Sequence, residues 1–304
     1  MSAAIIHTAK TILFIGEIHA PCSVGLQSVI SPARLVPVQE SEQQPDPQPS
    51  ESPDGVKGYA LFDLDQTLIP WDTQLLFCNF VLKRMPLRRL YLLLFLPLLP
   101  LARLIGTERL KRAFLNYLWR LTQKELDALA GEFVAEILPG TFYREMLDVL
   151  EQQKQLGRTT VLSSASPEIW VKPIAEKLGF DHFFGTRLEI DDHVRLFPKI
   201  IGGNNKGANK LRKMRHVLPE GFDPSSGDTL PDSHGFSDSH ADLPMLLICE
   251  NASMVHPTET LREKGAERNW QTHTPIRPTA GKRQFAIACL RQALGIYESP
   301  HPEM

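Results

Sequence analysis

The chain has 304 residues, enough to bury a sizeable core as one or two domains. Its 33 Lys and Arg stand against 35 Asp and Glu, so bulk charge gives no reason to expect a nucleic-acid partner. Cys22, Cys78, Cys249 and Cys289 are scattered without CxxC spacing, which argues against a disulfide frame or a zinc site and suits the reduced thiols of a cytoplasmic protein.

In chain order, Met1 to about Ser28 is mildly apolar. Its run Thr11–Gly16 is too short to span a bilayer and, with only Lys10 before it, nearly lacks the charged region of a signal peptide, so the stretch reads as a loosely ordered extension or the product of a misassigned start codon. Ser41 to Gly55 (SEQQPDPQPSESPDG) has no aromatic or β-branched residue and reads as a disordered linker. Residues 1–56 are thus extension and linker, and folding is expected to start near Val56. Tyr59–Phe62 is an apolar run of the kind that forms a buried parallel strand. It ends in Asp63 and Asp65, acids placed where open α/β sheets build their sites. Taken alone, the two acids are better read as a strand stopping at an Asp-rich turn.

Trp71 to Leu150 is mostly helical in character. Thr122 with Glu125 forms a capping-box pattern opening a helix over Gln123–Ile137, Pro139-Gly140 breaks it, and a helix over Phe142–Leu156 follows, closed by Gly157. Within this block, Lys83-Arg84-Met85-Pro86-Leu87-Arg88-Arg89 precedes an uncharged leucine-rich run, Leu90–Ala102, interrupted by Pro97 and Pro100 and followed by Arg103, Arg109, Lys111 and Arg112. The run falls short of the ~20 residues of a spanning helix. Two readings stand: a segment lying in an anionic membrane surface, which the cationic flanks favour, or an apolar hairpin buried in a helical subdomain. Arg88 and Arg89 read either as binders of a lipid headgroup phosphate or as a solvated face.

Arg158–Ser163 is a second buried strand, ending in Ser163-Ser164-Ala165-Ser166-Pro167, with a helix over Glu168–Leu178 capped by Gly179. Phe183-Phe184 and Thr186–Ile190 suggest more strand, and Asp191-Asp192 a turn into a strand over His193–Phe197. Gly202–Gly207 is a loop opening a cationic helix over Ala208–Val217. Pro219–His234 reads as an excursion, long for an α/β connection. After Ser237–Asp242 come an apolar helix over Leu243–Ile248, a strand over Ser253–Val255, a helix over Thr258–Lys264, an irregular stretch Trp270–Pro278, and a last helix over Arg283–Leu294 before a polar tail. This alternation predicts an α/β fold: a Rossmann-like doubly wound parallel sheet, with residues 57–72 and 151–280 as the core, residues 73–150 as an inserted helical cap, and residues 281–304 as C-terminal helix and tail.

Four features fall at strand ends in order: Asp63/Asp65, Ser164, Lys206 or Lys210, and Asp238/Asp242. They fit one chemistry. A carboxylate attacks phosphorus, a second carboxylate serves as general acid and base, a hydroxyl and an ammonium hold phosphoryl oxygens, and further carboxylates hold Mg²⁺. DLDQTL at Asp63–Leu68, SSAS at Ser163–Ser166, the Lys206/Lys210 helix start and SDSHAD at Ser237–Asp242 resemble the four motifs of the haloacid dehalogenase superfamily phosphatases of subfamily IB, the phosphoserine phosphatase-like branch. The insertion after the first motif matches that family's C1-type cap.

The resemblance covers about Lys57 to Trp270. It implies Asp63 as nucleophile and Mg²⁺ ligand, and Asp65 as general acid/base that also ligates Mg²⁺ through its carbonyl. It implies Ser164, with Ala165 and Ser166, at the phosphate, and Asp238 on the metal, with Asp242 supporting it at i+4 as a further metal-site residue. The lysine is Lys206 by one variant of the pattern and Lys210 by another. A narrower resemblance, to C-type phosphatidylglycerophosphatases, rests on the basic stretch, the Pro-interrupted leucines and the Ser-Asp-Ser motif followed by Leu243-Pro244-Met245-Leu246. It implies a lipid phosphate as substrate and a place at the inner face of the cytoplasmic membrane. A soluble phosphomonoester such as phosphoserine, or a catalytically inactive membrane-associated binding protein, are the alternatives.

Overall fold

A computed structural model describes residues 58–101, 104, 106–136 and 139–298. The expectations for residues 1–56 lie outside the described residues.

Strand β1, Tyr59–Phe62, runs up the middle of a seven-stranded sheet. It pairs in parallel with β2, Thr159–Pro167, on one side and with β5, Leu230–Ser237, on the other. Beyond β2 lie β3, His182–Leu188, and the short antiparallel edge β4, Ile200–Ile201; beyond β5 lie β6, Cys249–Val255, and β7, Gln271–His273. Phe62 stands level with Leu162 and with Phe236. One step further, the Asp63 N–H donates to the Phe236 carbonyl at 3.0 Å. This register brings Asp63, Ser163 and Ser237 out side by side at the carboxyl edge.

The inserted block holds α1, Thr73–Arg84, a 3-10 turn Pro86–Tyr91, the short α2, Leu92–Phe95, α3, Thr107–Phe114, and α4, Gln123–Glu136. The capping box opens α4 as the sequence indicates: Thr122 N–H donates to Glu125 Oε2 at 2.8 Å and Glu125 N–H to Thr122 Oγ1 at 3.3 Å. The next helix, α5, Arg144–Gln155, packs on β2, so it belongs to the sheet layer and not to the insertion that the sequence placed over 73–150. The insertion shares one core with a sheet face. Phe77 of α1 stacks at 4.5 Å on Trp170 of α6, Glu168–Leu178, and both join Phe62 and Phe236 in one buried cluster. The other face packs Leu61, Val161, Met245 and Leu246, with α7, Ala208–Met214, α8, Leu243–Leu247, and α9, Glu259–Ala266, along the chain.

The last helix, α10, Lys282–Leu294, packs on α1. Trp71 stacks on Phe285 with centroids 5.5 Å apart. The Asn79 side chain donates to the Tyr297 carbonyl at 3.1 Å and accepts from its N–H at 3.0 Å. Arg89 donates to the carbonyls of Leu294 and Gly295, closing the helix end where Gly295 takes positive φ.

Three stretches differ from their sequence reading. The Pro219–His234 excursion contains the start of β5, an inner strand. Pro231 and Asp232, with φ of 44°, sit at an irregularity where the register against β6 shifts, and Ser233 bridges it by accepting from the Glu250 N–H at 2.8 Å. Gly58 lies so close that a Cβ there would collide with the Asp232 backbone. His193–Phe197 is not a strand, because Val194 exchanges hydrogen bonds of 2.8 Å with Arg120 and Leu121 of the insertion. Trp270–Pro278 contributes β7 to the sheet edge.

Several of the cations around the leucine run have internal partners. Lys83 pairs with Glu298, Arg84 with Glu132 and Glu136, and Arg112 with the carbonyls of Phe197 and Pro198. Arg88 donates to the carbonyls of Tyr117 at 2.9 Å and Trp119 at 2.7 Å. For these residues and Arg89 the charge is used within the fold, which weakens the argument from cationic flanks to an anionic membrane. The leucines remain exposed, with Leu87 at 83 %, Leu93 at 71 % and Leu104 at 84 %. No helix among the described residues is long and apolar enough to cross a membrane. Cys78, Cys249 and Cys289 are buried and unbridged.

Candidate active site

Asp63 leaves β1 almost fully buried, and its carboxylate needs a cation. Lys210, in the first turn of α7, supplies it: Nζ lies 2.6 Å from Asp63 Oδ1 and 2.8 Å from Asp242 Oδ2. Ser237 donates to that same Asp242 oxygen at 2.8 Å. Of the two candidate lysines it is Lys210 that reaches Asp63, while Lys206 lines the same small cavity of about 30 Å³ together with Asp65, Ala165 and Asp238. Gly207, with φ of 61°, turns the chain between them against Ala241.

Asp65 faces the other way. Its Oδ1 accepts from the Thr73 N–H at 2.7 Å, and its Oδ2 accepts from Ser166 at 2.7 Å and Ser164 at 3.3 Å. The donors form a directed chain: Trp170 Nε1 to Thr73 Oγ1 at 3.1 Å, Thr73 to Ser166 at 2.9 Å, and Ser166 to Asp65. The hydroxyls of Ser164 and Ser166 are thus turned to Asp65, and of the three motif-two residues only Ala165 lines the cavity.

Two buried groups escaped the sequence reading. Lys111 of α3, only 1 % exposed, reaches from the insertion to the Ala165 carbonyl and to Asn204 Oδ1 at 3.0 Å. Asn205 donates to the carbonyls of Ser164 and Phe184, each at 3.0 Å, and pins the end of β2. Arg88 and Arg89, expected at the substrate, do not line this cavity; their guanidinium groups hold backbone carbonyls within the insertion and at the end of α10.

Residues 60–247 match the family model described as haloacid dehalogenase-like hydrolase, well over half of the chain. The chain belongs to the haloacid dehalogenase-like hydrolases. It is 27 % identical over 241 residues to a protein of Mycobacterium tuberculosis named probable phosphatase, covering 76 % of this chain and 82 % of that one. It is 28 % identical over 236 residues to a histidinol-phosphatase of Neisseria meningitidis, covering 71 % of this chain and 97 % of the relative. Among solved structures, a protein of unknown function from Bordetella pertussis superposes with a TM-score of 0.61 at 25 % identity, covering 72 % of this chain and 99 % of that one.

The electrostatics of this hydrolase centre favour a hard cation. Burial pushes the Asp63 carboxyl up to about 7, opposed by Lys210 and reinforced by Asp242 and Asp65. Burial, then Asp63 and Asp242, raise Asp238 well above the usual carboxylate range. Burial works against the Lys210 charge, but Asp242 and Asp63 outweigh it and hold the ammonium above the ordinary lysine range. The Asp238 carboxylate lines the cavity near Asp63. No cluster of three or more His, Cys, Asp or Glu side chains with metal-site geometry occurs among the described residues. Two carboxylates, completed by a carbonyl and water, still suit Mg²⁺, which keeps several waters and takes few protein ligands. Asp63 and Asp238 fit that role. Asp242, also expected on the metal, is bonded through Oδ2 to Lys210 and Ser237.

Proposed function

We propose that this protein is a Mg²⁺-dependent phosphomonoesterase acting through a phosphorylated Asp63. The observation that carries the reading is the convergence of Asp63, Lys210 and Asp238 at the cavity, with Asp65 two residues from the nucleophile. The relatives named as phosphatases support it.

The carboxylate of Asp63 attacks phosphorus, and the leaving alkoxide takes a proton from Asp65. Asp65 then removes a proton from the water that hydrolyses the acyl phosphate. Lys210 offsets charge at Asp63, and the motif-two segment Ser164–Ser166 frames the phosphoryl oxygens through Ala165. Mg²⁺ held by Asp63 and Asp238 would supply neutralisation of phosphoryl charge. Asp63→Asn is expected to lower hydrolysis of p-nitrophenyl phosphate by at least ~10³-fold with an unchanged circular dichroism spectrum. Turnover at the parent rate would refute the assignment.

For the substrate, the exposed leucines of the insertion favour a phosphate carried on a lipid such as phosphatidylglycerophosphate. The histidinol-phosphatase relative favours a small soluble phosphomonoester. A panel of phosphatidylglycerophosphate, phosphoserine and histidinol phosphate separates them by kcat/KM. If none releases phosphate with Mg²⁺ present, the inactive binding-protein reading replaces both.

A further inference from the structure

A second, larger cavity of about 460 Å³ shares no lining residue with the one at Asp63. Its size suits a small molecule. Three parts of the chain build it: the entry to the insertion at Trp71, the return from it at Phe142, Tyr143 and Arg144, and the loop after β7 at Ile276 and Arg277.

We propose that this cavity binds a small amphiphilic oxyanion, an aromatic or apolar body bearing an acidic group. Arg144 and Arg277 both line it and neither has a carboxylate partner within ion-pair distance among the described residues. The N-terminal end of α5, twelve residues long, opens on the same space, and its N-cap residue Tyr143 contributes no side-chain cap. The positive end of the helix therefore adds to the two guanidinium groups. The first-turn acid Glu145 also lines the cavity, and its Oε1 is engaged by His273 Nδ1 at 2.8 Å. Tyr143 itself is 4 % exposed, and its buried hydroxyl has the Arg277 guanidinium as its neighbour. A guanidinium cannot accept the phenol's proton, so a buried phenol beside it is a group whose O–H a bound oxyanion satisfies. Burial raises the phenol, and the neighbouring Arg277 guanidinium acts in the opposite direction. Trp71 and Phe142 supply flat apolar walls, and Ile276 stands at the mouth 96 % exposed. Such a ligand touches both crossings between insertion and core, so its binding biases how the insertion sits over the catalytic cavity.

The test is titration of the full chain with 4-iodobenzoate, an aromatic carboxylate whose iodine quenches nearby tryptophan. Saturable quenching is expected, weakened at least ~10-fold by R144A/R277A, restored to within ~3-fold of the parent by R144K/R277K, and unchanged in Asp63→Asn. The lysine pair separates lost charge from lost fold. Absence of saturable quenching, equal affinity in the alanine pair, or full displacement by inorganic phosphate in the presence of Mg²⁺ would each overturn the proposal.

Discussion

The Thr73 N–H, at the first turn of α1, donates to Asp65 Oδ1 at 2.7 Å. The start of the insertion thus aims a carboxylate of the core. Ser166 shares this task through Asp65 Oδ2, and Thr73 and Trp170 stand behind it. Ser166→Ala frees one side of Asp65. The expected result is a ~10- to 10²-fold fall in kcat with KM within about threefold of the parent, since proton transfer, not binding, loses its geometry. Steady-state kinetics on p-nitrophenyl phosphate check it, and a change confined to KM would contradict the arrangement.

Lys210→Met leaves Asp63 and Asp242 as unpaired buried charges. We expect a loss of ~3–5 kcal/mol and a Tm lower by roughly 6–15 °C, with turnover abolished. Lys206→Met, at a half-exposed residue where Lys210 is buried, should cost clearly less stability than Lys210→Met. Thermal denaturation of both variants distinguishes the two lysines, and the reverse ranking would return Lys206 to the nucleophile.

Metal binding at Asp63 and Asp238 should appear without any substrate. MgCl2 at about 100 times its Kd stabilises the protein by ~2.7 kcal/mol, and chelation reverses it. Asp238→Asn should remove this thermal shift. A shift of the same size in that variant would place the cation elsewhere.

His234 sits inside the sheet, stacked on Phe236 at 4.4 Å and bonded through Nε2 to Ser253 at 2.8 Å. Burial pushes it down to about 4, with Arg158 and His273 adding to the effect. Its folded value lies below its unfolded value of about 6.5, so the unfolded chain binds the extra proton and acid favours unfolding. The stabilising contribution is full above pH ~6.5 and is lost as pH falls toward ~4, amounting to roughly 3 kcal/mol. In His234→Phe, denaturant stability should fall less steeply between those values than in the parent.

The leucine segment carries the membrane question mainly on apolar area, because Lys83, Arg84, Arg88, Arg89 and Arg112 are engaged within the fold. Sedimentation with vesicles should therefore depend weakly on salt, and L93Q/L96Q should lower it by an order of magnitude. A protein that stays in the supernatant at every salt concentration has no such contact.

The reactive end of β1 was legible because a buried strand that breaks into Asp-x-Asp, followed in order by a serine, a lysine and an acid pair, fits phosphoryl chemistry at every position. The choice between Lys206 and Lys210 was not, since both stand at the start of one helix and only the direction of the side chain decides. β5 was hidden because Pro231, Asp232 and Gly235 are poor strand residues in isolation; the strand is made by its neighbours β1 and β6 and by Ser233 filling a gap in the ladder. Lys111 looked like one more flanking cation, and only the packing of α3 against Ala165 shows it buried. Arg88 and Arg89 misled for the same reason: a sequence shows charge and not the carbonyl that absorbs it.

The bonds from Asn79 to Tyr297 and from Arg89 to the end of α10 join the insertion to a helix more than 130 residues beyond its return to the core. The unit that rests on the sheet is therefore discontinuous in the gene. A chimera that exchanges only residues 73–143 for those of a relative would separate α1 from the partner it is shaped to, and the transplantable module is that segment together with residues 282–298.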